Sequence, residues 1–282
     1  HQALRPLPFL STVMDGCIEK GVDVTMGGTK YNFSGPQGIG IGTVGDGLAT
    51  IKQLVFDEKK ITGRELLDAV EANWVGYEPL YALINSDYVH HYGNDDDYAD
   101  ELTKFGMDTY CKHIEHRPNA RGGFFQPGCY SVTVNVAHGK NQWASVDGRV
   151  AFEPLSDCIS PVHTYYGSHD IKGPLAICKS TTKLDHARAT NGTLLNWKFS
   201  PSAVAGETGR DNLIALIDEY VQRKGMHSQF SVVSQETLIA AQRNPENYRD
   251  LLVRVAGYSA YFVELDKALQ DDIIGRTSLS FD

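Results

Sequence analysis

A glycine that could serve chemistry interrupts a strand-like run near the end of the chain. Residues 254–262 read RVAGYSAYF, with Gly257 in the middle. Glycine weakens a strand because it loses more backbone entropy on folding than other residues and offers no side chain to pack. Two interpretations follow: a bulge or tight bend, or a reaction that requires a residue without a side chain.

Histidines and acidic residues occur close together at two places, but their spacing is a weak signal for a metal ion. Residues 113–116 (HIEH) lack the HExxH spacing, so the two imidazoles would not share a helical face. His90 and His91 precede the acidic run at 95–97, which could hold a metal. A solvated loop before the acidic first turn of a helix is the favoured interpretation. The sequence therefore predicts neither a metal ion nor a dissociable cofactor in this chain.

Residues 40–45 (GIGTVG) fit the GxGxxG pattern of dinucleotide-binding loops. In that fold a buried strand leads into the glycines. Here the preceding residues, YNFSGPQ, contain a proline and a Ser-Gly turn. Tight packing of a loop at a helix start is therefore favoured over nucleotide binding.

Length and composition restrict the class of protein. The 282 residues are enough for one large α/β domain or two ordinary ones, and 41% hydrophobic with 22% charged residues is ordinary globular usage. The net charge of −9 opposes binding to nucleic acid. No apolar run approaches the ~20 residues of a membrane helix, and no signal peptide opens the chain.

The five cysteines are scattered and form no CxxC pair. This pattern argues against a disulfide framework and against a zinc ribbon. It favours a reducing compartment, so we expect the protein in the cytoplasm, where a bacterial microcompartment is one option.

The elements that must position these residues alternate between helix and strand. Thr62 followed by Glu65 predicts a capping box at the start of a helix. The turn-rich stretch 147–173 is a plausible domain edge. Apolar periodicity predicts further helices over 9–17, 48–55, 98–111, 211–225 and 235–244, and strands over 129–139, 175–180, 228–234 and 254–262.

Taken with the residues that follow it, the run around Gly257 resembles the signature of glycyl radical enzymes. That signature is Arg-Val-x-Gly-Tyr near the C-terminus, and this chain reads RVAGYSAYFVELDKALQDDIIGRT. Residues 5–56, 147–161, 189–201 and 244–262 are similar to segments of the eliminase branch, in that order. The branch includes diol and glycerol dehydratases, choline trimethylamine-lyase, hydroxyproline dehydratase and isethionate sulfite-lyase. The resemblance covers essentially the whole chain.

The resemblance implies an α/β fold: the C-terminal half of a ten-stranded α/β barrel of the glycyl radical enzyme type. Residues 1–146 would be the C-terminal part of the pyruvate formate-lyase-like barrel domain, and residues 147–282 the glycyl radical domain. The Gly257 loop would be inserted and buried at the barrel centre. Because the chain starts at His1 without an initiator Met, we expect it to be the last part of a longer protein.

The same resemblance gives the glycine a chemical purpose. Gly257 would store the radical, because an α-carbon radical is stabilised when the carbon is planar between a donating amide nitrogen and a withdrawing carbonyl. A side chain would clash in that planar state and offer competing hydrogens. The implied partner is an activating enzyme that uses an iron–sulfur cluster and S-adenosylmethionine to remove the hydrogen.

The family also uses a thiyl radical on the cysteine of a Gly-Cys-x-Glu loop, and residues 16–19 (GCIE) match that pattern. Their flanks resemble a helix that follows the catalytic loop, so Cys17 is predicted to be a small apolar helix residue. The catalytic loop is then expected before His1, in the same gene or in a separate subunit. A homodimer is a further expected assembly.

Arg121 and Phe125 point to the substrate. Isethionate lyases are similar in using an arginine, and a phenylalanine four positions later, to hold the sulfonate. A guanidinium fork suits a tetrahedral anion and would repel choline. The alternative is structural, with Arg121 bound to a carbonyl or carboxylate.

The resemblance thus predicts cleavage of isethionate to sulfite and acetaldehyde, with Arg121 and Phe125 as substrate-binding residues. Diol or glycerol dehydration and choline cleavage are the alternatives within the branch. A second alternative is a non-catalytic spare-part subunit that restores the radical of a damaged partner.

Overall fold

A computed structural model describes residues 4–164 and 167–281, and it is a mixed α/β structure. The described helices are α1 (Pro8–Thr12), α2 (Cys17–Lys20), α3 (Ile41–Thr50), α4 (Gly63–Glu71), α5 (Glu78–Ile84), α6 (Asp97–Ile114), α7 (Val134–Gly139), α8 (Gly173–Thr182), α9 (Gly206–Gln222), α10 (Gln235–Arg243) and α11 (Lys267–Gly275). None of these helices is long and apolar enough to cross a membrane.

The strands are short and pair two by two. They are β1 (Gly128–Cys129), β2 (His163–Thr164), β3 (Gly167–Ser168), β4 (Gly192–Thr193), β5 (Leu195–Phe199), β6 (Ser228–Val232), β7 (Leu252–Arg254) and β8 (Ser259–Tyr261). Pairs β1–β4 and β5–β6 are parallel, and pairs β2–β3 and β7–β8 are antiparallel. In the β5–β6 pair, Asn196 lies opposite Gln229.

Side-chain caps explain where several helices begin. At α4 the predicted capping box is confirmed: Glu65 N donates to Thr62 Oγ1 at 3.1 Å, and Thr62 N donates to Glu65 Oε2 at 2.7 Å. Asp96 caps α6 by accepting from Tyr98 N at 3.0 Å. The predicted helices that correspond to α6, α9 and α10, and the strand that corresponds to β6, are also confirmed.

Two apolar clusters hold the helices and strands together. The larger one joins Ile41 of α3 and Met107 of α6 to Phe199 of β5, so it contains residues from both sides of position 147. The other lies beneath the β7–β8 hairpin and includes Val255 and Ile273. The hairpin is therefore anchored on a core of its own.

Two predicted strands are wrong because the residues concerned are mostly helical. Residues 175–180 lie in helix α8, and their lack of a 3.6-residue pattern is explained by burial on several sides: Ala176, Ile177 and Cys178 are all buried. Of residues 129–139, only Cys129 belongs to a strand, and residues 134–139 form helix α7. Alternating valines there belong to a turn and a short helix.

Two further predictions need correction where a glycine intervenes. The helix expected over 9–17 is two helices, because Gly16 adopts a left-handed conformation with φ of 95° between them. The strand expected over 254–262 is a hairpin that turns at Gly257.

The GxGxxG pattern at residues 40–45 is a tightly packed helix start, as favoured above. No described strand precedes α3, and Gly45 packs so closely on Thr103 of α6 that a Cβ would collide with it.

Candidate active site

Gly257 lies in the tight turn between β7 and β8. Its φ is +83°, a conformation that favours glycine, and Val255 N donates to Tyr258 O across the turn at 2.9 Å. The structure thus supports the tight bend, the simpler of the two interpretations of this glycine. That bend does not exclude the chemical interpretation.

Gly257 itself is exposed in this chain. A Cβ placed on it would contact only Leu194 Cδ1, at 3.8 Å. The residues of this chain alone therefore do not bury the loop, and its burial at a barrel centre remains a prediction for a longer protein.

The turn rests on a small apolar cluster and on two polar side chains. The cluster contains Cys158, Leu194 and Ala256. Gly257 N donates to Gln229 Oε1 at 2.9 Å, and Arg276 Nη1 donates to Val255 O at 2.8 Å. The backbone that leads into the glycine is thus held by buried side chains.

Arg121 is half-buried, and its guanidinium already has partners. Nη2 donates to Phe33 O and, at 3.2 Å, to Ser34 Oγ. Phe125 forms a parallel bridge with Ser34, and its N–H donates to Arg117 O at 2.8 Å. This carbonyl contact is what the structural interpretation of Arg121 expects.

The Arg-Gly-Gly run has its own structural explanation. Asn119 Oδ1 accepts from Arg121 N at 2.9 Å and from Gly123 N at 3.0 Å, which closes a tight loop. Gly122 has a φ of +79°, and a Cβ on Gly123 would collide with Asn32 O. The glycines are needed for this loop whether or not Arg121 binds a substrate.

The β1–β4 pair connects the Arg121 loop to the Gly257 turn. The loop precedes β1, and Leu194, the residue next to Gly257, follows β4 directly. Leu194 N donates to Cys129 O at 3.3 Å, which ties the ends of the two strands together. The predicted site residues therefore lie at opposite ends of one short parallel pair.

Cys17 is buried at the first position of α2, as a helix residue was predicted to be. The Gly-Cys-x-Glu match is a helix-start pattern here, because Glu19 Oε2 accepts from Gly16 N at 3.0 Å. The glutamate of the motif is thus used to cap the helix. The radical role of a cysteine elsewhere remains a prediction.

The acidic run at 95–97 begins helix α6 as predicted, and the two histidines before it have different partners. His90 Nδ1 lies 2.6 Å from Asp96 Oδ2, while Asp95 pairs with Lys179. His91 turns inward instead, so its partners come from other elements.

A buried group of three residues that sequence reasoning missed is formed by Asp46, His91 and His169. The Asp46 Oδ2 atom lies 2.6 Å from His169 Nδ1 and 3.5 Å from His91 Nδ1, and the two imidazoles stack. Their ligand atoms lie within 4.8 Å of one another, so these residues could hold a metal ion. The 2.6 Å separation is a hydrogen-bond length, and Asp46 Oδ1 also accepts from Tyr92 N at 2.7 Å.

Burial and the neighbouring charges act in opposite directions on the pKa values of this group. Burial alone would raise the pKa of Asp46, but hydrogen bonds from His169 and then His91 outweigh it and lower the pKa to about 2. Burial alone would lower the pKa of His91, but the Asp46 carboxylate outweighs it and raises the pKa. The Asp46 carboxylate therefore joins α3 to the two loops that carry His91 and His169.

Comparison with known proteins gives two family matches. Residues 1–139 match the family described as pyruvate formate lyase-like, and residues 155–263, which include Gly257, match the glycine radical family.

Curated relatives and solved structures agree with these matches. The chain is 58% identical to (2S)-3-sulfopropanediol dehydratase of Klebsiella oxytoca, over 100% of this chain and 34% of that protein. It is 42% identical to isethionate sulfite-lyase of Bilophila wadsworthia, over 87% of this chain and 29% of that protein. The glycerol-bound B12-independent glycerol dehydratase from Clostridium butyricum superposes with a TM-score of 0.92 at 47% identity, covering 98% of this chain and 34% of that one.

The chain thus spans about a third of the length of the relatives it matches. Its α/β elements superpose on those of the solved glycerol dehydratase. The chain belongs to the glycyl radical enzymes, in the branch that contains dehydratases and lyases.

Proposed function

We propose that the protein to which this chain belongs is a glycyl radical dehydratase that acts on a short hydroxylated sulfonate and stores its radical at Gly257. The observation that carries the proposal is the 58% identity, over the whole chain, to a (2S)-3-sulfopropanediol dehydratase. Elimination of water from the sulfonated diol would give a sulfonated aldehyde.

A second candidate is carbon–sulfur cleavage of isethionate to sulfite and acetaldehyde. It is supported by relatives named isethionate sulfite-lyase at 37% to 42% identity. The two candidates share the sulfonate and differ in the leaving group. Because the identity to the dehydratase is higher, we favour loss of water.

The proposed mechanism follows the family's radical chemistry. An activating enzyme of the radical S-adenosylmethionine type, with an iron–sulfur cluster, removes one hydrogen atom from Gly257. The radical passes to a cysteine outside this chain, and that thiyl takes a hydrogen atom from the carbon bearing the hydroxyl group. The neighbouring carbon then loses its leaving group, and return of the hydrogen atom completes the product.

Arg121 is the proposed contact for the sulfonate. Its Nη2 is bound to Phe33 O and Ser34 Oγ, and its other guanidinium N–H groups have no partner within residues 4–164 and 167–281. Those groups could donate to sulfonate oxygens with charge assistance. Phe125, bridged to Ser34 beside it, would exclude water from the pocket.

The decisive experiment assays the whole protein after treatment with its activating enzyme under anaerobic conditions. The substrates are (2S)-3-sulfopropanediol, isethionate, glycerol, 1,2-propanediol and choline, with aldehyde and sulfite measured separately. We expect a sulfonated aldehyde from the first substrate without release of sulfite.

Each other result is informative. Sulfite and acetaldehyde from isethionate would support the second candidate instead. Turnover of a neutral diol or choline alone would disprove the sulfonate proposal, and the absence of a glycine-centred doublet in electron paramagnetic resonance would disprove the radical role.

A further inference from the structure

We propose that Gln229 is a positioning residue for Gly257, whose side-chain amide holds the Gly257 N–H and thereby positions the glycine and its amide nitrogen for radical formation. The inference rests on the radical role proposed above for Gly257. Its basis is a network of buried hydrogen bonds that ends on the glycine.

Gln229 lies on β6 and is 6% exposed. Its Oε1 accepts from Gly257 N at 2.9 Å and from Arg254 Nε at 2.9 Å. Its Nε2 donates to Asn196 Oδ1 and, at 3.3 Å, to Val255 O. A glutamine amide has two acceptor lone pairs and two donor hydrogens, so all four hydrogen-bonding positions of Gln229 are used.

A buried carboxylate sets the direction of these bonds. Asp157 Oδ2 accepts from Asn196 Nδ2, which leaves Asn196 Oδ1 to accept from Gln229 Nε2. The Gln229 carbonyl oxygen must then face Gly257. The orientation of both amides is thus determined by an acceptor that has no hydrogen to donate.

Asp157 is ionised, which makes it an acceptor only. Burial alone would raise its pKa, but the charge of Arg276, followed by His163 and the Asn196 hydrogen bond, outweighs burial and holds the pKa below its ordinary value. The same arginine donates from Nη1 to Val255 O at 2.8 Å and from Nη2 to Asp272 Oδ2 at 3.2 Å. The network therefore returns to Val255 O, the same carbonyl oxygen that Gln229 Nε2 binds.

The consequence is chemical as well as structural. A radical at the Gly257 α-carbon is stabilised by electron donation from its amide nitrogen, which requires the nitrogen and the carbon to be coplanar. At the observed φ of +83° the two are not coplanar, so Gly257 must rotate about its N–Cα bond when the radical forms. An acceptor that keeps hold of the N–H anchors the nitrogen during this rotation and increases its electron density. Loss of the Gln229 acceptor should change the spin density at the amide as well as the position of the turn.

The test uses the whole protein after activation and compares three variants. Gln229→Leu has similar volume and no polar atoms, Gln229→Glu keeps an acceptor oxygen, and Gln242→Leu is the matched control. Gln242 Nε2 donates to Asp271 Oδ1 at 2.7 Å on α11, and no contact joins it to the Gly257 turn among the described residues.

Two quantities are measured: turnover per radical, and the hyperfine coupling of the exchangeable amide proton in water against deuterium oxide. We expect Gln229→Leu to lower turnover per radical by about tenfold and to alter the coupling, since one charge-neutral hydrogen bond is lost. Gln229→Glu keeps the acceptor but loses the donors to Asn196 Oδ1 and Val255 O, so it should lower turnover while it retains a coupling close to that of the wild type. Gln242→Leu should match the wild type in both quantities.

The outcomes separate this inference from the proposed function. A normal doublet in the wild type with unchanged coupling and turnover in Gln229→Leu overturns the positioning role alone. An equal change of the amide-proton coupling in the leucine and glutamate variants shows a merely structural role and also overturns the inference. If the leucine variant does not fold, the glutamate variant decides: an altered coupling there overturns the inference. A wild type without any doublet overturns both.

Discussion

The Gly257 turn and the Arg121 loop are both held by side chains, but those side chains have different origins. At the turn, Gln229 and Arg276 reach in from β6 and from the end of α11 to bind the backbone around the glycine. At the loop, Arg121 and Asn119 are themselves the residues that hold the backbone. At the turn the candidate residue is held by other side chains, whereas at the loop the candidate residue itself holds the backbone.

This difference shows how far a short sequence motif that contains glycine can be interpreted. At Gly257 only the backbone conformation favours glycine, since a Cβ there would meet only Leu194 Cδ1 at 3.8 Å. The Arg121 loop needs both of its glycines for backbone geometry, so its sequence is explained without a substrate. A chemical role is better supported for Gly257 than for Arg121, because the match to the glycine radical family includes Gly257.

The largest expected effect is that of Gly257→Ala. We expect it to abolish both the doublet in electron paramagnetic resonance and all turnover, and to prevent cleavage of the chain at position 257 in air. The variant should still fold, because the added methyl contacts only Leu194 Cδ1 at 3.8 Å. Alanine at φ +83° should cost about 1–2 kcal/mol.

Circular dichroism and a denaturation curve of this variant check that the protein is folded. Turnover retained by the folded variant would show that the radical is not stored at this glycine, and the contrast between the two regions would then lose its basis.

The next largest effect concerns Arg121→Gln. If Arg121 binds the sulfonate, kcat/KM should fall by about a hundredfold or more, since breaking a buried ion pair costs roughly 3–5 kcal/mol. Arg121→Lys should recover only part of this loss, because an ammonium cannot provide a two-pronged contact. Steady-state kinetics on the sulfonate substrate measure the change.

Arg117→Gln is the matched control for Arg121→Gln. Its side chain is exposed, and its backbone holds the loop by accepting from Phe125 N and donating to Ile114 O. Kinetics like those of the wild type are therefore expected. If Arg121→Gln instead lowers the midpoint of thermal unfolding and leaves kcat/KM intact, the arginine is structural, as its bond to Phe33 O indicates.

How much of this could be predicted from sequence depends on how local the interactions are. The capping box of α4 and the run around Gly257 lie within a few residues, and both were found. The strand predicted over 175–180 was wrong because a helix buried on several sides has no polar face to mark its period.

The polar partners in the site could not be predicted for a related reason. Gln229 is 28 residues from Gly257, and His169 is 123 residues from Asp46. Only the folded chain brings such residues together. A glutamine on a predicted strand carries no local signal that distinguishes a network member from an ordinary surface residue.

A smaller effect is expected at the Asp46 group, which ties together elements far from both regions. The pKa of Asp46 in the folded protein, about 2, lies below the ordinary value of an aspartate, so the ionised form stabilises the fold. This contribution, about 2 kcal/mol, is present above roughly pH 4 and is lost as the pH falls through the folded pKa. The difference in unfolding free energy between the wild type and Asp46→Asn should therefore narrow from pH 6 towards pH 2.5.

Denaturant unfolding at several pH values measures this difference, and Asp87→Asn, at an exposed position, is the control. A difference that stays constant from pH 6 to pH 2.5 would mean that the Asp46 carboxylate gains nothing from its two histidines.

The smallest effect is expected for Cys17→Ala, which tests the literal Gly-Cys-x-Glu match. Cys17 is 3% exposed, and its sulfur lies against Gly28, where a Cβ would be 2.9 Å from it. Removing the sulfur leaves a small cavity, so the free energy of unfolding should fall by about 1 kcal/mol while turnover and the glycyl doublet remain. Glu19→Gln is a useful companion, because Glu19 caps the helix through Gly16 N and should also affect stability alone. A folded Cys17→Ala protein that carries the doublet but has no activity would make Cys17 the thiyl residue, and the reactive cysteine would then lie within this chain.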